Sequence, residues 1–436
     1  MTTPLIMPRR NFIKNVAVAS AAISALPLIG CKATKPSQSG FNIGTKNVNR
    51  KFKIGVIGCG GRGTGATGNI VEAAKTLGYE IEVVAVADFF QEKADKLAQK
   101  YPGCRAFGGP DAYHKVLEQP IEVVLMATPP AFRPLHLEAS IAAGKHCFIE
   151  KPVAVDPVGA RKVIAIGEVA KKKGLSIVAG TQRRHMSTYL RNQFAIAQGA
   201  IGKITGGNIS WCTNKLWFRA RNPEESDASY LVRNWTSFVE MSGDHIVEQH
   251  LHQLDVTNWF IGRPPVSAIG FGGRARRQTG NQFDFFSVDF NYGEDCHIHS
   301  MCRQINSCYD NIGEFYIGTE GSTYGAGKMQ SAKLASLKIP EFATHANGQV
   351  QEHVDMLAAI AKGAPLNGAK DVAEATLTGI MGRISAYTGQ LVRWTDLTTN
   401  TESPWYNLTL KPAAADFEGG TVIAPKDGVC PIPGEA

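Results

Sequence analysis

Lys53-Ile54-Gly55-Val56-Ile57 is a short apolar run that breaks into Gly58-Cys59-Gly60-Gly61-Arg62-Gly63, and no other stretch narrows the possible folds as far. Gly58, Gly60 and Gly63 carry the G-x-G-x-x-G spacing between a strand pattern and a helix pattern that continues through about residue 77. Such a turn aims the free N–H groups of a helix N-terminus at one point. One glycine permits the tight turn, one lets backbone approach a pyrophosphate, and the third lets helix pack on strand. Gly61 and Arg62, inside the turn, are further contact candidates. A second apolar run, Ile81–Ala87, ends in Asp88. A carboxylate at that strand end can accept hydrogen bonds from both adenosine ribose hydroxyls and would repel a 2′-phosphate, so it favours NAD over NADP. A helix cap is the plainer role for the same residue.

The alternation continues. Ile121–Ala127 reads as a parallel strand followed by Thr128-Pro129-Pro130, then a helix over 135–143, a strand over 146–149, and Glu150-Lys151-Pro152. Strand and helix in turn predict a doubly wound α/β sheet with ligands at the carboxyl ends of its strands. Thr128, Pro129, Pro130, Glu150 and Lys151 occupy such ends, and His136 lies on the helix behind them; all six are cofactor-side candidates. A chain of 436 residues exceeds the roughly 250–300 that one core organises. The prediction is an N-terminal Rossmann domain over 52–180, an α+β domain over 181–395 and a C-terminal tail over 396–436. From 201 to 330 the β-prone stretches 203–212, 266–273, 283–292, 297–304 and 314–318 mostly lack intervening helices, which predicts a large open, mostly antiparallel sheet. Trp211, Trp217, Arg233, Asn234 and Trp235 lie in helix-poor parts of this region and are candidates to stack on or hydrogen-bond a carbohydrate, or to fill core.

The net charge of +8 does not point to nucleic acid. Residues 1–51 hold eight basic side chains and no acid, so the remainder is neutral. Pro8-Arg9-Arg10-Asn11-Phe12-Ile13-Lys14, a mild apolar run from Val16 to Gly30, and Leu28-Ile29-Gly30-Cys31 resemble a twin-arginine leader ending in a lipobox, with Cys31 as the lipid attachment site. The expectation is a signal peptide over 1–31, a linker over 32–51, and a periplasmic or membrane-anchored protein exported already folded. The other eight cysteines form no Cys-x-x-Cys pair; most read as buried small hydrophobes, and an oxidising periplasm would permit a disulfide.

His245, Glu248, His252 and Asp255 recur at steps of three, four and three, so one continuous helix would line them along a polar stripe suited to a cleft. A solvated helix face is the plain alternative. The spacing of His245, Glu248, His250 and His252 matches neither His-Glu-x-x-His nor its inverse, and no metal is expected. After the last strand of the first half, Thr181-Gln182-Arg183-Arg184-His185 enters the predicted cleft; Arg184 suits either a substrate group or a domain-interface ion pair.

Gly144-Lys145-His146-Cys147-Phe148-Ile149-Glu150-Lys151-Pro152, with the glycine turn, Asp88, Thr128-Pro129-Pro130 and Glu248-Gln249-His250-Leu251-His252, resembles the Gfo/Idh/MocA oxidoreductases over about residues 52–395. That resemblance implies Lys151 between nicotinamide and substrate and His252 as acid/base, with Glu248 where the family commonly has aspartate. It implies oxidation of a secondary hydroxyl of a sugar or glycoside. Trp235, His245 and Arg184 join His252 as substrate-side candidates, and self-association through the open sheet is expected. Because free nicotinamide is not expected outside the cytoplasm, export implies NAD that stays bound and is recycled. Two rival readings are an NAD-dependent glycoside hydrolase using transient oxidation and elimination, and a lipid-tethered sugar-binding protein without catalysis.

Overall fold

The computed structural model describes residues 50–342 and 344–433. The leader over 1–31, the lipobox cysteine Cys31 and almost all of the linker over 32–51 lie outside the described residues. Chain order begins with β1 (Lys51–Ile57), where Phe52, Ile54 and Val56 alternate onto one face and pack with Ala66, Ile70, Ala73 and Leu77 of helix Gly61–Leu77. Ile57 turns to the other face and joins Val116 and Ile121. Burial on both faces is what covering helices impose on a parallel sheet. The strands β2 (Glu80–Asp88), β3 (Arg105–Gly108), β4 (Val123–Met126), β5 (His146–Ile149) and β6 (Ile177–Ala179) complete it in the order β3-β2-β1-β4-β5-β6, every pairing parallel. The order reverses between β1 and β4, so their carboxyl ends open a crevice.

The second sheet holds β7 (Ile204–Thr213), β8 (Ser267–Gly273), β9 (Phe285–Asn291), β10 (His297–Gln304), β11 (Asn311–Gly318), β12 (Gly321–Tyr324), β13 (Met329–Ser331) and β14 (Val392–Arg393). Its order is β13-β12-β11-β7-β10-β9-β8-β14, antiparallel except between β7 and β10. This is the expected α/β class, with four short strands that the sequence pattern did not reveal, β3 in the first sheet and β12, β13 and β14 in the second. One face packs on helices Leu251–Ile261 and Ala369–Thr388 through Leu254, Leu377, Ile380 and Met381. Ile269 and Phe271 of β8, with Ile312 and Ile317 of β11, remain exposed.

Two later segments return to the first sheet. Helix Gly348–Ala361 is buried on nearly every face, and Val350, Val354 and Leu357 complete the core between β1 and helix Gly61–Leu77. The same helix also buries Gln351, Glu352, His353 and Asp355, whose polar groups need partners from the elements packed around it. In the expected C-terminal tail, Phe417 of helix Ala414–Glu418 meets Phe132 edge-on at 4.8 Å. Residues 348–361 and 414–418 therefore pack with the first domain across the boundary expected near residue 180.

Candidate active site

The crevice is shaped by the glycine turn. Gly58 has φ +94°, and a Cβ on Gly63 would stand 1.8 Å from the Gly58 carbonyl oxygen, so helix and turn touch at a distance only hydrogen allows. A Cβ on Gly60 or on Gly61 would meet nothing within 4 Å, which leaves backbone there open to a ligand. Asp88 closes β2 with both oxygens engaged: Oδ2 accepts from Cys59 N at 2.7 Å and Oδ1 from Phe90 N at 3.0 Å. Burial raises its carboxyl above the usual range while those two N–H groups oppose the shift. A cleft runs past Gly58, Gly60, Asp88, Thr128, Pro129 and His136. His136 is buried beside Phe132, bonds Thr128 Oγ1 through Nδ1 at 3.2 Å, and is pushed by burial down to about 3, so it stays neutral.

Arg62 reaches from the turn to the far end of the crevice. Its Nε donates to Glu150 Oε1, and a terminal nitrogen stands 3.6 Å from Glu352 Oε1 on the returning helix. Burial and then the Glu150 charge push the Glu352 carboxyl well up, because one guanidinium faces two acids. Glu352 carried no signal in the sequence, since its partners lie on the first domain.

At the end of β5 the two domains meet. Lys151 Nζ donates to the Glu248 carbonyl at 2.6 Å and to Glu248 Oε1 at 3.0 Å. His252 is buried beside this pair, with its ring centroid 5.7 Å from that of Trp211. Burial, then Lys151 and Arg183, hold its imidazole well below the ordinary 6.5. A neutral imidazole beside an ammonium can accept a proton while the ammonium stabilises negative charge developing on the same oxygen.

The structure departs from the substrate-side expectations at the 245–255 helix, at His245 and at Trp235, and it decides between the two roles open to Arg184. The 245–255 segment is not one helix: His245–Glu248 and Leu251–Ile261 are separate, with Gln249 and His250 between them. His245 is fully buried, with Nδ1 2.9 Å from Asp244 Oδ1, and packs on Phe286 away from the cleft. Arg184 serves the ion-pair role: its Nε lies 3.0 and 2.9 Å from the two oxygens of buried Asp255, and Nη1 lies 3.1 Å from Asp371. Trp235 lines the cofactor cleft with Val232, on the side of Phe132 and His136, and not the region around His252. His250 bonds Ser300 Oγ at 2.7 Å. Among the described residues no three His, Cys, Asp or Glu side chains are grouped to hold a metal, and all eight cysteines are free.

A glycine turn at the switch point of a parallel sheet, an acid closing the neighbouring strand and a cleft between them define a dinucleotide-binding domain. Residues 52–180 match the oxidoreductase family with the NAD-binding Rossmann fold, and this domain belongs to that family, Gfo/Idh/MocA. The chain is similar to inositol 2-dehydrogenase of Rhodococcus jostii (strain RHA1), 27% identical over 48% of this chain and 50% of that protein. It is also similar to inositol 2-dehydrogenase of Pseudomonas syringae pv. syringae (strain B728a), 32% identical over 48% of this chain and 54% of that protein. The chain thus spans about half the length of the curated relatives it matches. In fold it resembles a levoglucosan dehydrogenase solved with NADH and levoglucosan, with TM-score 0.61 and 17% identity over 79% of this chain and 99% of that one. A putative myo-inositol dehydrogenase from Sinorhizobium meliloti 1021 gives TM-score 0.58 and 19% identity over 78% and 99%.

Proposed function

We propose that this protein is an exported NAD-dependent oxidoreductase that oxidises a secondary hydroxyl of a sugar or glycoside. The observation that carries this reading is Lys151 Nζ held at 2.6 and 3.0 Å on Glu248 beside buried His252, at the carboxyl end of β5. Bound NAD supplies the hydride acceptor. His252 takes the hydroxyl proton, and Lys151 stabilises the charge that develops on that oxygen. Glu248 holds the ammonium in place. The inositol and levoglucosan dehydrogenases to which the chain is similar support a polyol or sugar as substrate.

The leader-like segment supports export, with Cys31 as anchor and NAD that remains bound and is recycled. Exposed Ile269, Phe271, Ile312 and Ile317 support self-association through the open sheet. Lys151→Met and His252→Gln are each expected to lower turnover by about 10²–10⁴-fold with the fold intact. Near-normal turnover in both overturns the assignment. A sugar panel followed for bound-cofactor reduction and for bond cleavage separates dehydrogenase from hydrolase. Silence in both assays marks a binding protein.

A further inference from the structure

A histidine base is ordinarily oriented by a third group that hydrogen-bonds its second nitrogen. His252 has no such partner: its imidazole makes no hydrogen bond among the described residues. The nearby carboxylates are engaged elsewhere, Glu248 on Lys151 and Asp255 on Arg184. Among the described residues the aromatic ring stacked on it is Trp211, at 5.7 Å between centroids and 29° between planes.

Trp211 is itself fixed. It lies on β7, an inner strand of the second sheet, in register with Cys302 of β10 and Ile312 of β11. Its Nε1 donates to Gln249 Oε1 at 3.2 Å, and the same oxygen accepts from Gln304 Nε2 at 2.8 Å. Gln304 Oε1 in turn accepts from Arg277 at 2.6 Å. Gln249 occupies the break between helices His245–Glu248 and Leu251–Ile261, so the interruption places an amide where the indole N–H needs an acceptor.

We propose that Trp211 is the positioning residue of His252: the indole, pinned through Gln249, sets the plane of the imidazole and leaves both ring nitrogens free for substrate. This rests on His252 being the base. Stacking orients the ring without supplying negative charge. The charged and titratable groups that act on the imidazole are Lys151 from the β5 end, Arg183 from the turn Gln182–His185 and His250 beside it in sequence, and none is an acid. The base therefore rests neutral.

The test uses the full chain and three variants: Trp211→Ala, which removes the stack; Trp211→Phe, which keeps it; and Gln249→Met, which removes the pin and keeps the volume. Turnover is expected to fall about 10²-fold in Trp211→Ala, the scale of a misplaced reacting group. KM should change little, the acid limb of the pH profile should move up, and Trp211→Phe should recover most of the loss. A fall in Gln249→Met smaller than in Trp211→Ala is expected. Histidine-labelled protein, with the His252 signal assigned through His252→Gln, supplies a readout independent of turnover. Its titration should move toward the ordinary 6.5 in Trp211→Ala and Gln249→Met and stay in place in Trp211→Phe. A rise in KM with unchanged kcat and an unmoved His252 signal would make Trp211 a sugar platform and overturn the proposal. An unmoved signal in Trp211→Ala and Gln249→Met overturns it even if no sugar turns over. A moved signal without turnover upholds the positioning and sinks only the dehydrogenase reading.

Discussion

Replacing Arg184 by methionine separates the two roles its position allows. Asp255 is buried with a side chain only 2% exposed, and Arg184 Nε contacts both of its oxygens at 2.9–3.0 Å. Removing one partner of such a pair leaves a buried charge without compensation, which costs about 3–5 kcal/mol. The second contact, to Asp371, ends on a side chain 54% exposed and adds roughly 0.5 kcal/mol at most. Guanidinium unfolding followed by tryptophan fluorescence, with linear extrapolation, should show that loss at pH 7. The pH dependence has a definite sign. Burial already raises the Asp255 carboxyl and the guanidinium opposes it, so losing Arg184 raises the carboxyl further. A carboxyl whose folded value lies above its unfolded value near 3.9 stabilises the fold at low pH and loses that contribution as pH rises through the folded value. The penalty of Arg184→Met should therefore be largest at neutral pH and shrink toward pH 4. Adding Asp255→Asn removes the stranded charge and should recover most of the stability. A loss under about 1 kcal/mol, the range of an exposed pair, would refute the reasoning. So would a double variant no more stable than the single one.

Gly63→Ala puts a methyl 1.8 Å from the Gly58 oxygen, and opening the turn by about 1–3 kcal/mol should weaken NAD binding roughly ten- to hundredfold, measured by calorimetry. Phe417→Ala empties the contact with Phe132 at the cleft wall, and NADH release followed by fluorescence should accelerate at least tenfold while Lys151 chemistry is untouched. Buried His136 and His250, both held near about 3, stay neutral in the fold but take up protons when unfolded, so stability should fall as pH drops from 6.5 toward 3. His250→Asn should flatten that slope in urea titrations.

What could be read from the sequence was local. The turn at Gly58–Gly63, the acid closing β2 and the lysine after β5 each follow from a few consecutive residues, and the backbone they specify is the one observed. The 245–255 segment misled because its steps of three and four fit a continuous helix, with no glycine or proline to mark a break. The interruption at Gln249 and His250 is held by partners distant in sequence, Trp211, Gln304 and Ser300, which periodicity cannot register. Trp235 was assigned to substrate for the same reason. Its surroundings are set by where residues 227–238 cross the first domain, near Phe132, and not by its neighbours in the chain.

Helix Gly348–Ala361 gives the first sheet a consequence in time. On the ribosome, β1 to β6 emerge well before the helix that covers them, and at about 5–20 residues per second the lag is roughly 10–30 s. During that interval Phe52, Ile54 and Val56 have only part of their covering, and Phe417, which packs on the cleft residue Phe132, comes later still. The packing behind the nucleotide cleft is consequently complete only after synthesis has passed residue 418, so firm support for the dinucleotide is a late event in the birth of this protein.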